Sequence, residues 1–192
     1  MRLKIITFLY IVALSVLNAQ QKVVKPAVLS SNLKIEKQNE NGLVIHKKRD
    51  AKILLEGRYE ILIQKLDSSH NNVSLFGGIN TGFVEEGTFE KGLKDGFWKT
   101  NYKNKIVKKE HWNNGLISNE YSVYNTKGKL LYQVDFGAKG NGKYKDFYYN
   151  TGILKQEGGY ENGKKEGEWC TYDEKGKLVS TLLYDDGKAQ NP

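Results

Sequence analysis

The 192-residue chain has one cysteine, Cys170, so no internal disulfide can brace it. It has three histidines, His46, His70 and His111, far apart and without metal-ligand spacing. Acidic residues such as Asp95, Glu166, Asp185 and Asp186 fall in turns, with no spacing that joins two carboxylates in one pocket. Gly77-Gly78 and Gly158-Gly159 lack the strand-to-helix setting of a phosphate loop. These absences leave no nucleophile, acid–base pair, metal cluster or cofactor loop. The expectation is a non-enzyme without cofactor or metal. Cys170, beside Trp169, reads as an ordinary strand residue.

Long apolar runs are also missing. The longest, Ile5 to Leu17, covers thirteen residues and is too short to span a bilayer. Arg2 and Lys4 precede it and Asn18-Ala19 follows, so residues 1–19 read as a secretory signal peptide cut before Gln20. This predicts an exported chain, periplasmic or secreted, with no transmembrane span after cleavage. No cysteine near the cut could carry a lipid anchor. The formal net charge is +8, mostly from lysine. Lysines in turns (Lys91, Lys94, Lys129, Lys164, Lys165, Lys177) keep a sheet soluble and its edges blunt. A second reading is attraction to anionic lipid or acidic glycan. An exported chain without a nucleic-acid motif is not expected to bind nucleic acid.

What the chain has is a step of 24. Tyr124, Tyr148 and Tyr172 keep it; so do Gly128, Gly152 and Gly176, and Leu130, Leu154 and Leu178. Trp112, Phe136, Tyr160 and Tyr184 keep it again. Glu86–Trp98 also aligns with Glu157–Trp169, glycine on glycine and aromatic on aromatic. A fixed step across several residue types marks a repeat architecture.

Each unit reads as two strands and two turns. Aromatic first strands are expected at Trp98–Tyr102, Tyr121–Tyr124, Tyr144–Tyr149 and Trp169–Tyr172. Gly-bearing turns follow at 125–128, 150–152 and 173–176. Second strands alternate: Leu130, Tyr132, Val134 and Phe136 share one face, and Leu178, Leu182 and Tyr184 repeat the pattern of a half-buried strand. Asn114-Gly115, Asn162-Gly163 and Asp186-Gly187 are strong hairpin signals. A tighter hairpin is expected around Asn104-Lys105 and an irregular turn at Gly137–Gly142. The fold class expected is all-β: an elongated antiparallel meander of four to five hairpins over residues 72–192, forming a sheet roughly 40 to 50 Å long. A weaker unit starts near Asn72, with Phe76 and Phe83. Residues 20–71 would be a tether and a small β-rich N-terminal cap, with a loop at Ser68–Asn72.

Tyr160-Glu-Asn-Gly-Lys-Lys-Glu-Gly-Glu-Trp169, followed by Tyr172, Gly176 and Leu178, resembles the MORN repeat, in the bacterial variant form. Phe89–Trp98 matches nearly as well; the central units match by aromatics and glycines alone. The resemblance covers about residues 72–188 and carries no catalytic residues. It implies a β-hairpin array for protein or membrane-surface interaction. Bacterial members are often labelled antitoxin-like, a role at odds with an exported chain.

Binding residues expected on the array are Trp98, Trp112, Tyr124, Tyr148, Tyr149, Trp169 and Tyr172. The leading expectation is a protein-interaction or scaffolding module in the cell envelope, with an envelope protein as partner. The alternatives are cell-wall glycan stacked on Trp112, Tyr148-Tyr149 and Trp169, and anionic membrane held by lysines. Most of these rings must also serve the sheet's own packing.

Overall fold

A computed structural model describes residues 27–36, 41–49, 53–65 and 79–190. The expected signal peptide, the tether as far as Pro26, the Ser68–Asn72 loop and Phe76 lie outside the described residues, as does His70.

The chain is all-β. Its strands are β1 (Val28–Leu29), β2 (Leu33–Glu36), β3 (Ile45–Lys48), β4 (Gly57–Lys65), β5 (Ile79–Glu90), β6 (Leu93–Tyr102) and β7 (Lys105–Asn113). Then come β8 (Leu116–Tyr124), β9 (Leu130–Asp135), β10 (Gly142–Tyr148), β11 (Ile153–Glu161), β12 (Lys164–Tyr172), β13 (Leu178–Asp185) and β14 (Lys188–Ala189). A short 3-10 turn, Ser30–Asn32, is the sole helical element among the described residues. β4 to β9 run as an antiparallel meander, with β1 added in parallel beside β4. β10 to β14 form a second meander, and β2–β3 a separate hairpin.

The meander is therefore two sheets, not one long one. The break falls at the turn expected to be irregular. There Phe136 N–H donates to Asn119 O, Asn119 N–H to Gly137 O, and Asn141 N–H to Phe136 O. The chain folds back on β8 instead of laying down the next strand. A side chain at Gly140 would collide with Ile117 O and the Gly163 backbone, so this crossing admits only glycine. Backbone bonds join the sheets at two places: Ile117 N–H to Gly163 O (3.1 Å) and Thr126 N–H to Tyr149 O (2.9 Å).

The hairpin corners repeat. Lys91-Gly92, Asn114-Gly115, Asn162-Gly163 and Asp186-Gly187 are two-residue loops with both φ angles positive. This is the type I′ geometry that suits strand twist, and Asn-Gly and Asp-Gly supply it at least strain. Lys103-Asn104 is the tighter hairpin, one residue earlier than expected. The corner glycines bond backwards along the chain: Gly92 N–H to Leu55 O, Gly115 to Lys94 O, Gly163 to Gly140 O and Gly187 to Lys165 O. Each residue before them also finds an earlier side chain, as Asn114 N–H finds Asp95, Asn162 finds Asn141 and Asp186 finds Glu166.

Two aromatic clusters fill the interior. Leu55, Tyr59, Ile61, Phe89 and Trp98 form one; Ile117, Tyr121, Val123, Phe136, Tyr144 and Trp169 form the other. Trp112 packs against both. The aligned segments prove to be structural twins. Trp98 lies across Gly87 and Trp169 across Gly158, each at a bulge in the strand pairing. Trp98 Nε1–H donates to Thr88 O and Trp169 Nε1–H to Gly159 O, both at 3.1 Å.

Candidate functional site

The aromatic residues singled out from the sequence divide into three groups. Trp98 and Trp169 are fully enclosed, so neither can offer a ring face to a sugar. Tyr148, Tyr149 and Tyr172 are half-buried in structural contacts: Tyr148 OH donates to Tyr172 O, Tyr149 packs against Phe83, and Tyr172 OH donates to Glu157 at 2.7 Å. That last bond holds the Tyr172 hydroxyl up at about 12. Tyr124 ends β8 opposite Leu130. Trp112 lines a cavity, and its indole N–H is buried without an acceptor among the described residues.

That cavity, about 360 Å³, lies where β6 and β7 face β10 to β12, closed on one side by residues 42–46. Leu43, Val44, Trp112, Tyr144 and Tyr160 give it apolar walls. His46, Lys94, Glu110, Gln156, Lys164 and Lys165 bring polar groups to it.

The charges at its β6–β7 end are internally satisfied. Lys94 Nζ sits between Glu85 Oε1 (2.6 Å) and Glu110 Oε2 (3.2 Å), over the Trp98 ring at 4.3 Å. Glu110 is buried and also meets Lys108 at 3.2 Å. Burial opposes its ionisation, but the two ammonium groups outweigh that and hold the carboxyl well below the usual range. His46 donates its Nδ1–H to Gly92 O and packs on Phe89. Burial, with Lys94 nearby, lowers its pKa to about 4, so it is neutral at pH 7.

At the β12 end, Lys165 Nζ lies 3.8 Å from the Trp169 ring and 4.9 Å from that of Tyr184. Burial lowers its pKa to about 8. Lys164 is paired with Asp186 at 2.8 Å. Lys94, Lys164 and Lys165, expected in turns from the sequence, line the cavity instead.

A second feature is β13. Read as half-buried, it is open on both faces: Leu178, Val179, Leu182 and Leu183 are 50%, 64%, 42% and 53% exposed. Among the described residues its outer edge pairs with β14 over Tyr184 and Asp185, with one more bond from Gln190 N–H to Leu183 O. No group of three or more potential metal ligands occurs among the described residues, and no described helix is long and apolar enough to cross a membrane. A scan against protein families finds no match along this chain, and a search of curated proteins finds no relative.

Proposed function

We propose that this chain is an exported, non-enzymatic repeat protein of MORN-like build that binds an envelope protein by strand addition at β13. The observation behind this reading is the mismatch between the composition of β13 and its position. A strand apolar on both faces belongs inside a sheet, yet among the described residues this one lies next to the edge.

The twin unit supports the choice of occupant. β7 stands to Trp98 as β13 stands to Trp169: Glu110 lies opposite the first and Leu182 opposite the second. Beside β7 runs β8, nine residues long, paired from Asn113–Leu116 to Lys108–Val123. Beside β13 the same hairpin begins at Asp186-Gly187, and among the described residues its second strand covers two residues. An extended antiparallel segment of the partner would take the place beside β13 that β8 takes beside β7, with main-chain bonds for affinity and apolar side chains for both faces.

The test captures partners of residues 20–192 from the envelope fraction of the native cell, with photo-crosslinkers at Val179 and Leu183. A single envelope protein crosslinked through an extended segment, and lost in the V179K/L183K double variant, supports the reading. Crosslinks to a second copy of this chain, or capture unchanged in the double variant, overturns it. Recovery of wall glycan or lipid in place of protein does the same.

A further inference from the structure

The twin units differ in one respect that bears on chemistry. Both place a lysine over the enclosed tryptophan: Lys94 over Trp98 and Lys165 over Trp169. Lys94 has two carboxylates, from Glu85 and Glu110. The strand registers put Gln156 and Leu182 at the corresponding positions around Lys165. Lys165 thus keeps the aromatic seat but has no carboxylate among the described residues. Its ammonium is removed from much of its water, and the ring faces repay only part of that loss.

Lys165 lines the cavity together with Trp112. A partly open space that holds a desolvated cation without a close carboxylate fits an anion that accepts hydrogen bonds. The charge balance sets its valence. Lys94, Lys108 and Lys164 are matched by Glu85, Glu110 and Asp186, which leaves Lys165 as the lysine of the lining without a close carboxylate among the described residues and calls for one negative charge. The apolar walls, Val44 and Tyr160 among them, favour a hydrocarbon body.

We propose that this cavity binds a small monocarboxylate with an aliphatic or aromatic body. Its carboxylate takes the place beside Lys165 that Glu85 and Glu110 take beside Lys94. A dianionic phosphate is the poorer fit, because its second charge would have no free cation. This inference does not depend on β13.

The test titrates the intact protein with acetate, hexanoate and benzoate, following the Trp112 indole N–H signal, identified by its loss in Trp112→Phe. Benzamide and inorganic phosphate serve as neutral and dianionic probes. The expected result is a saturable shift with hexanoate or benzoate and none with benzamide. Lys165→Met should weaken binding by at least about tenfold. Gln156→Glu restores the internal counterion found in the twin and leaves the tryptophan seat untouched, so it should also weaken binding about tenfold in a folded protein. No shift with any carboxylate at about 20 mM overturns the proposal. Equal binding of benzamide or phosphate overturns it too, as does full affinity in Gln156→Glu.

Discussion

Taking the protein from pH 7.5 to pH 4.5 should weaken the fold through His46 in particular. The ring is half-buried, bonded to Gly92 O and packed on Phe89, with Lys94 as a like-charged neighbour of the imidazolium and Glu85 as its opposite. Its pKa falls from 6.5 to about 4 on folding. Between those values the unfolded chain holds a proton that the folded chain refuses, so stability is fully present above pH 6.5 and drains away as pH falls. The loss amounts to about 2.5 kcal/mol by pH 4.5 and approaches about 3.4 kcal/mol at lower pH. The assay is urea unfolding at several pH values for the wild type and His46→Asn, which keeps a donor for Gly92 O but does not titrate. Carboxylates shared by both chains cancel in the difference. The wild-type midpoint should lose roughly 1 M urea more than the variant over this range. If the residues around His46 open before the rest, amide exchange at Leu55, which bonds to His46 O, shows the same dependence first. Parallel loss in both proteins would falsify the reasoning.

Other perturbations discriminate between residues that look alike in sequence. Trp112→Phe should cost about 1 to 2 kcal/mol less than Trp98→Phe, because the first removes an unpaired indole N–H and the second removes the bond to Thr88 O; chemical denaturation compares them. Glu110→Leu leaves Lys94 with one carboxylate and Lys108 with none of its close partners, so thermal unfolding should show a loss of about 3 to 5 kcal/mol. Gly158→Ala drives a methyl into the Trp169 ring, whereas at Gly128 a methyl meets open space. Gly128→Ala therefore costs only its left-handed backbone strain, about 1 kcal/mol, and Gly158→Ala several times that in a denaturant melt.

Local features were legible in the sequence and global ones were not. The hairpin corners could be read because Asn-Gly and Asp-Gly have few other uses, and Gly115, Gly163 and Gly187 all take the positive φ that the motif demands. The irregular turn at Gly137–Gly142 was visible as a lost Gly position, but its consequence was not. Whether a meander continues or folds into a second sheet depends on twist accumulated over many pairings. Nearly every long pairing here carries a register shift, as between Glu86 and Thr88. Facing across sheets is likewise invisible to a period of two: Lys94 and Lys165 sit in corners by sequence and inside by fold. One useful signal was available. The match of Glu86–Trp98 with Glu157–Trp169 starts one residue past Glu85. Extended by that residue, it pairs Glu85 with Gln156 and shows the second lysine short of a counterion.

The direction of the corner bonds has a consequence for how the chain acquires its shape. In each corner the later residue donates to a carbonyl already behind it: Gly92 to Leu55, Gly115 to Lys94, Gly163 to Gly140 and Gly187 to Lys165. A polypeptide emerging N-terminus first therefore meets every corner acceptor before the donor that needs it, and each hairpin can lock onto its predecessor as it appears. The bonds between the sheets run the other way, since Ile117 and Thr126 must wait for Gly163 and Tyr149. Emergence N-terminus first, as on crossing a membrane, would build the first sheet hairpin by hairpin and hold it half-clad, its inner aromatic face in water, until the second arrives to close over it.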